Sequence, residues 1–209
     1  MSDDSPPLTD RLLELIAVLL LGITTVGTAW CGFQATRWNG ESSDLTAVAA
    51  TQRLEASRLF GLATQQITYD SIVVAKYAEA SQQGNVALQQ FYRRSVVRPA
   101  FLPFLDRWEA AARAGDKTVG VFEDDDYLAE QFADYNKAIE ASDKAAREGQ
   151  EADERAEDYV GTTILLSVAL FFAGVTSSFL SRLARILLLI AAIGAVAVAA
   201  ARIGTLPIL

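Results

Sequence analysis

Arg93, Arg94 and Arg98 are the side chains whose type and spacing come nearest to a binding chemistry. They are three guanidiniums close together, beside Phe91 and Tyr92 and ahead of Trp108. Guanidinium forks recognise carboxylates and phosphates through paired hydrogen bonds, so an anionic ligand or lipid headgroup fits this patch. Salt bridges to the chain's own carboxylates compete for it, since Asp and Glu together number 26. The remaining reactive repertoire is thin. There is no histidine, and Cys31 is the only cysteine, so His-based acid–base steps, His/Cys metal sites and an internal disulfide are all unavailable. The run Glu123-Asp124-Asp125-Asp126 offers oxygen ligands, but it lacks the alternation and the glycine of a calcium loop, and helix capping accounts for it as well. No nucleophile with a base and no phosphate loop appears, so no catalytic residue, metal or cofactor is expected and the chain reads as a non-enzyme.

Three apolar stretches must position whatever this patch does. Residues 12–36 carry about 22 consecutive uncharged positions from Leu15 onward, and 160–181 carry about 22 more, each long enough to span a bilayer as a helix. Residues 186–203 form a third apolar run, joined to the second by the short basic link 182–185. A cleavable signal peptide is a rival for the first run, but it wants a basic leading segment, and residues 1–11 are an acidic tail with Pro6-Pro7. Lipoprotein processing at Cys31 fits poorly behind the bulky Trp30. Thr9 or Asp10 is expected to cap the first helix. Trp30, Arg37 and Trp38 mark its exit from lipid, and Tyr159 marks the entry of the second, because aromatic rings and snorkelling guanidiniums favour the headgroup layer.

The polar middle, 37–158, holds 14 of the 18 Lys/Arg and 22 of the 26 Asp/Glu, so the whole net charge of −8 lies there. An acidic surface of this kind repels phosphate backbones and argues against nucleic acid as a partner. Asn39-Gly40 is expected to break the helix. A new one runs over about 43–81, with Leu45, Val48, Ala49, Ala56, Leu59, Phe60, Ala63, Ile67, Val74, Tyr77 and Ala78 at three- and four-residue spacing. Gly84-Asn85 ends it, and a small cap over 84–115 follows: one helix from about Val86 to Val97, then another from about Pro103 to Ala114. Gly115 to Val121 reads as a loop. A last long helix over 127–159 carries the four-three seam Leu128, Phe132, Tyr135, Ile139, Ser142, Ala146 and Gly149. The fold class is therefore all-α: three transmembrane helices and an extramembrane antiparallel helical stalk with a small helical cap. Asp70 falls near the buried stripe, and Arg93 or Arg94 across the cap is its expected partner.

Ala29-Trp30-Cys31-Gly32-Phe33-Gln34-Ala35-Thr36-Arg37-Trp38, Tyr69-Asp70, Phe91-Tyr92-Arg93-Arg94, then Pro99, Phe101, Pro103, Trp108 and Tyr159-Val160 together resemble a group of uncharacterised bacterial integral membrane proteins. That group has the same layout of one helix, a polar helical domain and a helical hairpin. The resemblance covers most of the chain and implies a multi-pass protein of the bacterial inner membrane; it brings no activity with it. Arg182 and Arg185 in the short link place that link and the amino terminus in the cytoplasm by the positive-inside rule, and domain 37–158 outside it. Arg37, Arg147, Arg155 and Arg202 pull the other way.

Within the apolar runs there is no central ionisable residue, which disfavours an ion-coupled carrier. Small residues recur instead: Gly22, Thr25 and Ala29; Ala169, Ala173 and Ser177; Ala191, Ala195 and Ala199. These allow close helix contact, and Thr24, Thr28 and Gln34 can bond across helices or line a pore. Three functions follow as expectations. One is a self-associating membrane scaffold or interaction protein, whose partners are membrane lipids and a second copy or another membrane protein. Another is a homo-oligomeric channel lined by Thr24, Thr28 and Gln34. The third is a membrane sensor that binds an anion near Arg93, Arg94 and Arg98.

Overall fold

A computed structural model describes residues 8–115, 125–179 and 181–209. The expected loop at 116–121, the acidic pair Glu123-Asp124 and the tail 1–7 lie outside these residues. Nearly all of the described residues are helical and none is in a strand: α1 (Leu8–Gln82), α2 (Val86–Phe91), a π turn Tyr92–Val96, a 3-10 turn Pro99–Phe101, α3 (Leu102–Arg113), α4 (Asp125–Val175), a 3-10 turn Thr176–Ser178 and α5 (Arg182–Ile203). Three of these helices are long and apolar enough to cross a membrane.

Helix α1 does not break at Asn39-Gly40. Both residues are exposed, while Trp38, Ser42 and Leu45 keep the inward spacing on either side, so the glycine costs only its propensity, about 1 kcal/mol relative to alanine. Asp10 lies within this helix rather than capping it, and pairs with Arg182 at 3.1 Å. The helix stops where Gly84 takes φ +66°, a left-handed conformation that glycine adopts freely. Asn85 then caps α2, its Oδ1 accepting from Leu88 N at 3.1 Å. The basic link expected at 182–185 is instead the first turn of α5: the hydroxyl of Ser181 accepts from Ala184 N at 3.2 Å, an ordinary N-cap. The connection begins further back, where α4 ends at Val175 and the 3-10 turn Thr176–Ser178 follows.

Two compact units divide the chain. One comprises the residues through Ala47 with Ala145–Leu209, and the other is Val48–Lys144. The first packs the early part of α1, the late part of α4 and α5 around small side chains: Ala17, Thr24, Cys31 and Ala35 from α1; Ala152, Ala156, Thr162, Ala169 and Ala173 from α4; Ala192 and Ala199 from α5. Leu20, Leu166 and Leu189 are buried with them, while many other large apolar side chains point outward. Val26 is 71% exposed and Phe171 64%, with Ile23, Ile190 and Val198 also exposed. Threonine and serine hydroxyls in these helices bond to carbonyls one turn back, as Thr24 does to Leu20 at 2.6 Å, Thr28 to Thr24 at 2.7 Å and Thr162 to Asp158 at 2.8 Å.

The second unit packs the middle of α1 against α2, α3 and the early part of α4. Ala49, Ala56 and Ala63 are buried on α1, each a heptad apart, opposite Ala138 and Ser142 of α4. Contact is close enough that the Ser142 hydroxyl donates to the Ala49 carbonyl at 2.9 Å. At the far end Val73, Val74, Tyr77, Val97, Phe101, Phe104, Leu105 and Tyr127 close one apolar cluster, with the Tyr127 ring edge-on to Phe101 and Phe104. The seam on α4 holds its expected place at Ser142 and Gly149, both buried, and departs from it by one residue at two others: Ala138 and Ala145 are buried, whereas Ile139 is half-buried and Ala146 exposed. Where the backbones run close, Ala138 goes inside in place of the larger Ile139.

Candidate functional site

Two charged networks organise the second unit, and the first depends on the chain break at Pro99. Pro99 disfavours helical geometry in the residue before it, and Arg98 accordingly is extended at φ −63°, ψ 139°. This swings its guanidinium away from Arg93 and Arg94 and onto Asp70. Arg98 Nε donates to Asp70 Oδ1 at 3.0 Å and Nη2 to Oδ2, while the Tyr127 hydroxyl donates to that same Oδ2 at 2.8 Å. Asp70 is 1% exposed and Tyr127 fully buried. The expected pairing of Asp70 with Arg93 or Arg94 is therefore replaced by one with Arg98. The bond to Asp70 raises the Arg98 pKa further, and burial, then the bond to Asp70, lifts the Tyr127 phenol well above its usual value.

The second network centres on Glu109 of α3. It receives the Tyr77 hydroxyl, Arg93 Nη1 at 3.2 Å and Arg113 Nη2 at 3.1 Å, and Gln89 donates to the Tyr77 oxygen at 2.9 Å. Arg93 also pairs with Asp106. Burial comes first, and the bond to Glu109 second, in raising the Tyr77 pKa. A cavity of about 430 Å³ opens beside this network, lined among others by Trp108, Glu109 and Arg113.

The three arginines thus have different fates. Arg93 and Arg98 are taken up by carboxylates of the same unit, Arg94 is exposed, and Trp108 packs half-buried against the aromatic cluster. The charges of Arg93 and Arg98 are matched from within. Tyr127, the third member of the Asp70 network, carries no sequence signal beyond its place at the start of α4.

In the first unit Trp38 and Tyr159 do not face outward, but are buried together with Cys31, Ala35 and Ala156. Trp38 Nε1 and the Tyr159 hydroxyl both donate to the Pro207 carbonyl, each at 3.1 Å, and the Arg155 guanidinium lies 4.8 Å from the Trp38 ring centroid. Trp30 and Arg37 are exposed. Gln34 is fully buried: its Oε1 accepts from Leu209 N at 3.4 Å, and its Nε2 has no hydrogen-bond partner. Thr24 is buried and Thr28 half-buried. Of the expected stripe on α5, Ala199 is buried and Ala195 half-buried, but Ala191 is exposed and Ala192 takes its place inside. The chain contains, among the described residues, no group of three or more Cys, Asp or Glu arranged to hold a metal.

Gly22, Thr25, Ala29, Gly32 and Thr36 form the opposite arrangement. All five are exposed along one side of α1, and a Cβ added at Gly22 or Gly32 would meet nothing within 4 Å. No family model, curated protein or solved structure matches the chain. Fold and site define an all-helical protein with three helices long and apolar enough to cross a membrane and with two ion-paired side-chain networks in the Val48–Lys144 unit.

Proposed function

We propose that the protein is a three-span membrane scaffold that associates with a second copy through α1, presenting its charged Val48–Lys144 unit as an antiparallel helical stalk for interaction. One observation carries this reading. On α1 the small residues Gly22, Thr25, Ala29, Gly32 and Thr36 are turned away from the protein's own bundle, in the four-three spacing that lets two helices approach in lipid. The outward Val26, Ile23 and Phe171 support a lipid surround, since lipid is the solvent that tolerates them. Arg182 and Arg185 favour a cytoplasmic position for the turn between the second and third spans.

The test is the copy number of the full chain in detergent and in lipid, compared with Gly22→Leu and Gly32→Leu together. Both positions have room for a side chain, so the fold tolerates the changes, and the double variant is expected to shift a dimer to a monomer by detergent-corrected mass. A wild-type chain that is monomeric at every concentration refutes the association, and a chain that stays in the high-speed supernatant without detergent refutes the membrane reading.

A further inference from the structure

Between the start of α1 and the end of α4 lies a cavity of about 230 Å³, walled by Leu13, Ala17, Leu21 and Ala173. This is larger than the dry apolar void of about 150 Å³ that a protein interior can hold empty. It is not sealed: Val18, which also lines it, is 63% exposed, so the cavity opens on the outer surface of the bundle. The 3-10 turn that ends α4 at Thr176–Ser178 accounts for its position, because the chain leaves the helix axis before reaching α5.

Two opposite charges share the lining: Glu14 from α1 and Arg185 from the first turn of α5. No ion pair joins them among the described residues. Their neighbours behave differently, since Asp10 and Arg182 close on each other at 3.1 Å. Arg185 is steadied by its own backbone contact, Nε donating to the Phe179 carbonyl at 2.7 Å. An apolar chamber thus carries on its lining one carboxylate and one guanidinium that do not pair with each other.

We infer that this cavity binds a glycerophospholipid with a zwitterionic, primary-amine headgroup: an acyl chain fills the chamber, the phosphate meets Arg185 and the ammonium meets Glu14. An anionic lipid would satisfy Arg185 and leave Glu14 opposed to its phosphate. A lipid bearing a quaternary amine would offer Glu14 no N–H donor. The site rests on the membrane reading of α1, α4 and α5, but not on self-association.

The experiment is native mass spectrometry of the full chain, delipidated in detergent and then exposed to phosphatidylethanolamine, phosphatidylcholine or phosphatidylglycerol. The wild type is expected to retain phosphatidylethanolamine at least fivefold better than either of the others. Glu14→Gln is expected to abolish the preference over phosphatidylcholine, and Arg185→Gln to weaken retention of all three. Gly174→Leu fills the chamber. A Cβ there would meet only Leu21 Cδ2, at an ordinary 3.9 Å, and leucine favours helix over glycine, so the variant folds and is expected to lose at least fivefold of the retention. Circular dichroism of each variant checks that helix content is kept. Equal retention of the three lipids, a preference for phosphatidylglycerol, or retention unchanged in Gly174→Leu overturns the assignment. A chain that fails to partition into membranes at all overturns the proposed function instead.

Discussion

Arg98 grips Asp70 through both carboxylate oxygens, and Tyr127 completes the shell from a helix that begins more than fifty residues after Asp70. A carboxylate at 1% exposure survives in an apolar cluster only when its charge is matched and its lone pairs are used. The triad therefore joins three separate elements of the Val48–Lys144 unit at one point.

Replacing Asp70 by Asn should expose that dependence. The guanidinium of Arg98, 27% exposed, would lose its counter-charge, at a cost of about 2 to 4 kcal/mol, somewhat below the range for a fully enclosed pair. Trp108 is the only tryptophan of this unit, so denaturant titration followed by its fluorescence, in a Trp30→Phe, Trp38→Phe background, reads the loss directly. A midpoint unchanged by Asp70→Asn would show that the triad contributes nothing to stability.

Alkaline pH should loosen the same unit. Tyr127 and Tyr77 have folded-state pKa values raised above the unfolded value near 10, so the folded form holds their protons longer. Their stabilising contribution is intact below pH 10 and is lost as pH rises above it, at about 1.4 kcal/mol per pH unit for each phenol. Arg93 and Arg98, raised further from an already high value, stay charged throughout. Denaturant midpoints between pH 8 and pH 11.5 should fall above pH 10, and Tyr127→Phe should flatten the fall while lowering the plateau by about 1.5 to 3 kcal/mol.

Glycines on opposite sides of the helices should respond with opposite sign. A Cβ at Gly149 would stand 3.3 Å from Leu45 Cβ and 3.4 Å from the Ser42 carbonyl oxygen, whereas at Gly40 it would meet nothing within 4 Å. Gly149→Val should therefore cost about 1 to 3 kcal/mol by overpacking. Gly40→Ala should stabilise by up to about 1 kcal/mol through helix propensity. Thermal melts of both variants in one detergent compare the two.

Gln34 should be dispensable within a single copy. Its Nε2 is buried without a partner, and an unmet buried donor costs about 1 to 3 kcal/mol, so Gln34→Leu should leave the melting temperature equal or higher. A clear drop would show that the amide is bonded in the assembled protein.

Much of this architecture is legible in the residues. The three apolar runs, the Gly84-Asn85 turn and the inward spacing of Ala49, Ala56 and Ala63 all follow from composition and period. What misleads is local. Asn39-Gly40 looks like a break only if its exposure is unknown, and Arg182 to Arg185 look like a loop until Ser181 is recognised as a cap. The seam on α4 keeps Ser142 and Gly149 but takes Ala138 in place of Ile139, because bulk is a poor guide where backbones nearly touch. The partner of Asp70 depends on how Pro99 redirects the preceding arginine, which spacing along a helix does not encode. The chamber beside Glu14 and Arg185 arises from where α4 stops, and no residue pattern announces it.

A single carbonyl, that of Pro207, serves both the indole of Trp38 and the phenol of Tyr159. In a Trp30→Phe, Trp108→Phe background the one remaining indole becomes a built-in optical gauge. Its emission should move to the red when residues 205–209 peel away, so undocking of that segment can be followed in real time without attaching a dye.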